Sequence, residues 1–155
     1  MNIRSENKNK QFSGFPKIVA IICIAIVAIL AVGIINNRNK EQQRENAINE
    51  MQMEIDKDYD ICSEILDAAK ADEYTKGMID VYKKNIENAQ NPAEKFSIAN
   101  SMLRFAASEL NEYRTKIQND PVQSSKISTN FSSKEKTLMD AQAKLIDAKN
   151  NIYDI

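Results

Sequence analysis

The chain has 155 residues, a formal net charge of −1 and no histidine. Its length allows one folded domain with a modest core. The lack of histidine removes the side chain that most often acts as a general base or binds a transition metal, so we expect no enzyme, no metal and no cofactor. Segment 36–155 carries 17 Lys and Arg against 21 Asp and Glu, and such an acidic domain is not expected to bind nucleic acid.

An uninterrupted run of 18 uncharged, mostly apolar residues occupies positions 18–35. As a helix it would be about 27 Å long, close to the thickness of the hydrocarbon layer of a membrane. The run therefore predicts a single transmembrane helix that contacts membrane lipid. It follows a basic N-terminal tail, residues 1–17, in which four Lys and Arg stand against one Glu.

A cleaved secretory signal is the alternative interpretation of this run, because Ala31-Val32-Gly33 resembles a cleavage site. The run is longer than the usual signal core and continues through Ile34 and Ile35, which favours retention as an anchor. Basic residues flank the run on both sides, with a slight excess before it. The positive-inside rule then predicts the N-terminus in the cytoplasm and segment 36–155 outside the cell membrane.

Beyond the run, apolar residues recur at helical spacing in four segments. The first segment predicts a long helix from about residue 38 to about residue 71, and Asp58 is the one polar residue of its apolar repeat. A shorter amphipathic helix follows Gly77. The apolar positions are Ile48, Met51, Ile55, Tyr59, Cys62, Ile65, Leu66 and Ala69 in the first, and Met78, Tyr82, Ile86 and Ala89 in the second.

The stretch Asn91-Pro92-Ala93-Glu94 predicts the start of a third helix, with Asn91 as N-cap and Glu94 closing a capping box. This helix ends before Pro121, and a polar loop, 122–130, follows. The N-cap of the last helix is Ser128, or Ser132 with Glu135 closing a capping box, and the helix continues to the end of the chain. The apolar positions are Phe96, Ala99, Leu103, Ala106, Leu110, Tyr113 and Ile117 in the third helix, and Phe131, Leu138, Ala141, Leu145, Ala148 and Ile152 in the fourth.

Each of these helices has one apolar stripe that it cannot bury alone. Short connections favour antiparallel neighbours, so the sequence predicts an all-α protein in which the transmembrane helix is followed by an antiparallel up-and-down four-helix bundle, residues 36–155. Alanine is frequent in the stripes, which indicates close, coiled-coil-like packing. Cys23 and Cys62 fall in the membrane run and in the first bundle helix, so we expect no disulfide between them.

Asp58 and Tyr59 are the candidate functional residues. A polar residue in an apolar seam can fix helix register or contact a partner. Stretch 56–60 also imitates the start of a calcium loop, but Ile61 and Asp67 replace the glycine and glutamate that such a loop requires, so a solvated helical face is favoured. For Tyr59 the open alternatives are a groove-lining residue and an edge-of-core aromatic with a solvated hydroxyl.

Three short stretches resemble landmarks of the LemA family of bacterial membrane-anchored helical proteins. They are Asp58-Tyr59-Asp60-Ile61, Asn91-Pro92-Ala93-Glu94, and Thr129-Asn130-Phe131 with the helix that ends Ala148 to Asp154. The resemblance covers about residues 18–154 and implies one membrane anchor followed by a four-helix bundle, with no catalytic residues to transfer. Ser63 and Glu64 depart from it, because the family has Pro-Asn at that point.

These observations predict a non-catalytic, membrane-anchored scaffold or protein-interaction module. Its expected partners are other membrane or envelope proteins, or further copies of itself. The alternative is a sensory or small-ligand-binding bundle that signals through a partner. A charged pocket between the helices would favour this alternative, whereas a filled, alanine-rich seam would favour the scaffold.

Overall fold

A computed structural model describes the backbone of residues 15–119 and 128–155, and the side chains of residues 22–119 and 131–155. The described residues form four α-helices and no strand, which confirms the all-α prediction. The chain divides into two units, Met1–Gln42 and Gln43–Ile155. The helices are α1 (Phe15–Ala68), α2 (Glu73–Asn88), α3 (Pro92–Gln118) and α4 (Ser128–Tyr153). Residues 1–14 of the predicted basic tail lie outside the described residues.

The predicted membrane run and the first bundle helix belong to one continuous helix, α1, which is 54 residues long. The sequence between Asn36 and Glu45 contains no proline or glycine, so nothing in it interrupts the backbone hydrogen bonds of a helix. Within the described residues, α1 is the one helix that is long and apolar enough to cross a membrane. Its side chains from Ile22 to Asn46 are all exposed, and burial begins at Ala47.

The helix α1 ends at Ala68, slightly before the predicted end, because the chain turns there through a left-handed residue. Lys70 has a φ angle of 52°. The Ala71 N–H donates to the Leu66 carbonyl at 3.0 Å, and the Lys70 N–H donates to the Asp67 carbonyl at 3.0 Å. This pair of hydrogen bonds is a Schellman cap, in which glycine usually occupies the left-handed position.

The helix α2 begins earlier than the sequence predicted. Asp72 is its N-cap and accepts a hydrogen bond from the Thr75 N–H at 2.7 Å, so Gly77 lies inside the helix. The buried residues of α2 are Ile79 and Ile86, whereas Met78 is only half-buried. The predicted apolar stripe of α2 was therefore wrong by one residue at its start, where Ile79 is buried in place of Met78.

The predicted cap of α3 is confirmed, with one difference. Asn91 accepts a hydrogen bond from the Glu94 N–H at 2.9 Å, and Pro92 is the first helical residue. The Glu94 carboxylate accepts a hydrogen bond from the Gln90 N–H at 3.0 Å. The capping-box prediction assigned to it the N–H of Asn91, which is the next residue along the chain. The helix α4 begins at Ser128, so Ser132 does not cap it.

The core of the unit Gln43–Ile155 consists mainly of aliphatic side chains from all four helices, and ten of the predicted stripe positions in α3 and α4 are buried. Met102 and Ala47 belong to this core although the predicted stripes omitted them. The buried residues are Ala47, Met51, Ile55, Cys62, Ile65, Leu66, Ala69, Ile79, Ile86, Ala99, Met102, Leu103, Ala106, Leu110, Ile117, Leu138, Ala141, Leu145, Ala148 and Ile152.

Polar contacts between the helices are located at the edges of this core. Lys134 in α4 pairs with Glu64 in α1 at 3.1 Å. Two contacts join α3 to α4: Arg114 pairs with Glu135 at 2.7 Å, and the Gln142 side-chain amide donates to Oδ1 of Asn100 at 2.9 Å. A further contact joins α3 to α1, because Lys95 donates to Gln52 at 3.0 Å.

Candidate functional site

Asp58 lies in the middle of the buried face of α1, between Ile55 and Cys62. Its side chain is 1% exposed, and it is the one charged residue among the buried side chains that the structure describes. Its Oδ2 atom has no hydrogen-bond partner among the described residues. The sequence left two alternatives for Asp58, partial exposure or a basic partner from another helix. Partial exposure is wrong, because the carboxyl group lies in the core, and Lys144 of α4 is a basic residue of another helix whose charge acts on it.

The surroundings of Asp58 favour its protonated form. Burial and the nearby Glu54 carboxylate raise its pKa to about 7, and the lysines Lys144 of α4 and Lys57 of α1 oppose that rise only in part. A neutral carboxylic acid is less costly to bury than a carboxylate. Asp58 therefore changes from a neutral carboxylic acid to a carboxylate near neutral pH.

Cys62 lies one turn after Asp58 on the same buried face. Its thiol contacts the Met102 carbonyl oxygen, with 3.8 Å between sulfur and oxygen. Burial and the neighbouring Asp58 raise the pKa of the Cys62 thiol to about 12, so it stays protonated at physiological pH. Cys62 is a packing residue of the seam, and it is not disposed to act as a nucleophile.

Tyr59 lies next to Asp58 in sequence but at the edge of the core, facing α2. Its hydroxyl donates a hydrogen bond to Asp80 at 2.6 Å. The hydrogen bond to the Asp80 carboxylate, together with partial burial, raises the pKa of the tyrosine hydroxyl. The Lys83 ammonium lies 4.5 Å from the centroid of the Tyr59 ring. Tyr59 therefore lies at the edge of the core and also lines a groove. Its hydroxyl is hydrogen-bonded to the Asp80 side chain.

Tyr59 lines a cleft of about 280 Å³ at the junction of α1 and α2. We refer to it as the Tyr59 cleft. Buried apolar side chains of Ile55, Ile86 and Met102 line its inner part, and charged side chains line its outer part. Its lining residues are Gln52, Ile55, Asp56, Tyr59, Asp60, Lys83, Ile86, Glu87 and Met102. A charged pocket of this kind is the feature that the alternative sensory interpretation required.

The stretch that imitated a calcium loop is helical throughout. Asp56 and Asp60 are exposed, whereas Asp58 is buried, so the three carboxylates do not converge on one point. Within the part of the chain that the structure describes, no group of three acidic, cysteine or histidine residues is arranged to hold a metal ion.

Sequence analysis did not predict the contribution of Asp80 and Lys83 to the site. Both are on the exposed side of α2, spaced three residues apart, and their local pattern is that of a solvated helical face. Their role depends on which part of α1 lies opposite α2, and no local signal contains that information. Met102 was missed because it lies beside the stripe position Leu103.

Comparison with known protein families finds no matching family, and comparisons with characterised proteins and with solved structures find no similar protein. The LemA resemblance is therefore carried by the short stretches that begin at Asp58, Asn91 and Thr129, and it stays a prediction. Within the residues that it describes, the structure adds a helical unit with a packed core, a buried acid at Asp58 and a charged cleft at Tyr59.

Proposed function

We propose that this protein is a non-catalytic, single-pass membrane protein whose helical unit, Gln43–Ile155, acts as a scaffold or protein-interaction module. The observation that carries the proposal is the continuity of α1. One stretch of this helix exposes apolar side chains, such as Ile24 at 69% and Ile29 at 71%, and the other stretch contributes to a packed core. Exposed isoleucines at this density are stable in lipid but not in water.

The proposal includes the antiparallel up-and-down arrangement of the four helical segments. It is supported by the order of contacts between α3 and α4: Arg114 near the end of α3 pairs with Glu135, whereas Asn100 near its start bonds Gln142. The contact between Glu64 and Lys134 is consistent with the same order for α1 and α4. Alanines within the buried stripes favour close helix approach over a wide internal cavity.

The proposed setting is a bacterial cell membrane, with the N-terminus in the cytoplasm, the helical unit outside, and membership of the LemA family. Proposed partners are other envelope proteins or a second copy of the chain. A non-catalytic role is supported by the lack of histidine in the sequence and by the protonated, buried thiol of Cys62. The Tyr59 cleft favours one alternative, a small-ligand-binding bundle that signals through a partner.

The anchor is tested with the double variant Ile26→Arg and Ile29→Arg. Each arginine at the centre of a membrane helix costs about 2.5 to 3.5 kcal/mol, so the variant should be recovered in the soluble fraction after carbonate extraction, whereas the unmodified protein stays with the membrane. Met53→Arg is the matched control, because Met53 is 60% exposed in the helical unit, and it should remain membrane-bound. Retention of the double variant in the membrane would contradict the anchor.

Orientation is tested with Ser101→Cys, which places a thiol on the exposed face of α3. A membrane-impermeant maleimide applied to intact cells should label this variant but not the unmodified protein, because Cys62 is buried and Cys23 lies within the proposed membrane run. Labelling only after lysis would reverse the proposed orientation.

Interaction is tested by placing a photo-crosslinking amino acid at Met139 of α4, which is 71% exposed, with Asn85 of α2 as a polar control position. Exposed large apolar side chains mark contact surfaces more often than polar ones do. Irradiation of intact membranes should give a discrete adduct from Met139, and its mass distinguishes a second copy from another protein. No adduct from Met139, or from the exposed Met53 and Tyr153, would contradict an interaction module.

A further inference from the structure

The Tyr59 cleft has the dimensions of a site for a very small organic ligand. Its volume of about 280 Å³ lies near the lower end of the range found for ligand sites. The side chains of Ile55, Ile86 and Met102 that line its inner part are each at most 4% exposed. An apolar lining of this kind gains free energy when a hydrocarbon group covers it.

The outer part of the cleft selects for positive charge. Asp56, Asp60 and Glu87 line it, against the single cation Lys83. Asp56 accepts a hydrogen bond from the Gln52 amide at 3.1 Å. Among the described residues, neither Asp60 nor Glu87 forms an ion pair with a lysine or arginine. Carboxylates gathered in a concave site attract a cation more strongly than isolated surface carboxylates do.

The face of the Tyr59 ring already accommodates an ammonium group. The Lys83 ammonium lies 4.5 Å from the ring centroid, within the range of a cation–π interaction. The hydrogen bond from the Tyr59 hydroxyl to Asp80 fixes the orientation of the ring. Lys83 reaches the ring from α2 by a flexible side chain, so a ligand ammonium of the same size can displace it.

We propose that the Tyr59 cleft binds a small alkylammonium ion. Its ammonium group takes the place of Lys83 over the Tyr59 ring and beside the free carboxylates of Asp60 and Glu87. Its hydrocarbon chain covers the apolar inner part of the cleft. This proposal does not depend on the membrane anchor or on a protein partner, and it gives the ligand-binding alternative a specific chemical class.

The test is a titration of the full-length protein in dodecyl maltoside, a neutral detergent, with butylammonium chloride as the probe. NMR resonances of the Tyr59 ring and the Ile86 methyl groups should shift in a saturable manner. Two probes separate charge from hydrocarbon: 1-butanol lacks the charge and ammonium chloride lacks the chain, and neither should saturate the site. Equal saturation by 1-butanol, or no saturation by butylammonium, would overturn the proposal.

Substitutions then locate the site. The pair Asp60→Asn and Glu87→Gln should weaken binding about tenfold, as expected when about 1.4 kcal/mol is lost. The matched control is Asp140→Asn with Asp147→Asn, which removes the same charge from the exposed face of α4 and should leave the affinity unchanged. An equal loss in the control pair would overturn a localised site in favour of non-specific attraction.

The role of the aromatic ring is tested in both directions. In the Lys83→Met background, where no lysine covers the ring, Tyr59→Leu should weaken binding roughly fivefold, because it removes a cation–π contact of about 1 kcal/mol. Lys83→Met should strengthen binding at least about threefold, because it removes the competing ammonium and a positive charge. Weaker binding in Lys83→Met would contradict displacement of Lys83 by the ligand.

A last titration identifies the source of the ammonium group. Dihexanoyl phosphatidylethanolamine, a water-soluble lipid, presents the same group on a lipid headgroup. Tighter saturation of the Tyr59 and Ile86 resonances by this lipid than by butylammonium would assign the ligand to a headgroup, and saturation by butylammonium alone would assign it to a free amine. Both results retain the ammonium site, and saturation by neither overturns it.

Discussion

The two stretches of α1 have the same backbone structure but opposite side-chain environments. From Ile22 to Asn46 every side chain is exposed, whereas from Ala47 to Ala68 one face is buried. Both stretches contain several isoleucines, so isoleucine content alone does not separate them. The difference is the arrangement of the apolar residues, which surround the helix completely from Ile22 to Ile35 and form one stripe after Ala47.

The pattern of apolar residues along a helix indicates the environment that the helix occupies. An apolar residue every three or four positions requires other helices to cover a single stripe, as α2, α3 and α4 do in the helical unit. Apolar residues on all sides require an apolar environment on all sides, which lipid or several surrounding helices provide. Substitutions in the two stretches of α1 test whether the second stretch packs against other helices and the first does not.

The largest effect is expected from matched Ile→Ala substitutions in the two stretches. Ile65 is fully buried, so Ile65→Ala should lower the free energy of unfolding of the helical unit by about 2 to 5 kcal/mol through lost burial and a cavity. Ile29 is 71% exposed, so Ile29→Ala should change it by less than about 0.5 kcal/mol. Urea unfolding of both variants in detergent, followed by circular dichroism, measures the two values.

Equal destabilisation by the two substitutions would contradict the comparison, because it would mean that the first stretch also packs against protein. A small effect of Ile65→Ala would instead indicate that the core around Ile65 can close over the missing methyl groups.

The next largest effect concerns Asp58, the one polar interruption of the buried stripe. Its pKa is about 7 in the folded protein against an ordinary value of 3.8, so the folded state holds a proton that the unfolded state releases. The resulting stabilisation is present in full below about pH 4 and is lost as the pH rises through about 7. Asp58→Asn removes this dependence, and at pH 8 it should be more stable than the unmodified protein by about 2 to 4 kcal/mol.

The measurement is the free energy of unfolding of both proteins between pH 4 and pH 8. Asp140→Asn on the exposed face of α4 is the control and should leave the pH profile unchanged. If the Asp58→Asn protein is less stable at pH 8 than at pH 4, or if its free energy of unfolding keeps the pH dependence of the unmodified protein, then Asp58 is not the group that titrates.

The smallest effect concerns the end of the buried stretch. Lys70 adopts a left-handed conformation that costs a non-glycine residue roughly 1 kcal/mol, so Lys70→Gly should raise stability by about 0.5 to 1 kcal/mol. Lys84→Gly is the matched control: it lies inside α2 and should lower stability by about 1 kcal/mol. A loss of stability in Lys70→Gly would mean that the lysine side chain contributes more than its backbone conformation costs, and the same urea unfolding experiment measures it.

The helical class, most of the buried stripes and the cap of α3 were predictable from the sequence. They were predictable because these features are local: Leu138, Ala141, Leu145, Ala148 and Ile152 follow helical spacing, and Asn91 with Glu94 forms a cap within four residues. The sequence also identified Asp58 as a break in an apolar repeat. The continuity of α1 was less evident, because a change of pattern at Asn36 resembles a boundary between elements.

The full burial of Asp58 and the contacts of Tyr59 with Asp80 and Lys83 of α2 depend on how the helices pack and were not predictable from the sequence. The physical reason is distance along the chain: Asp80 lies 21 residues after Tyr59, and their contact depends on the turn at Lys70 and on the register of two helices. Local spacing specifies which face of each helix is apolar. It does not specify which charged residues of two helices lie opposite each other, since that depends on how complete side chains pack in the core.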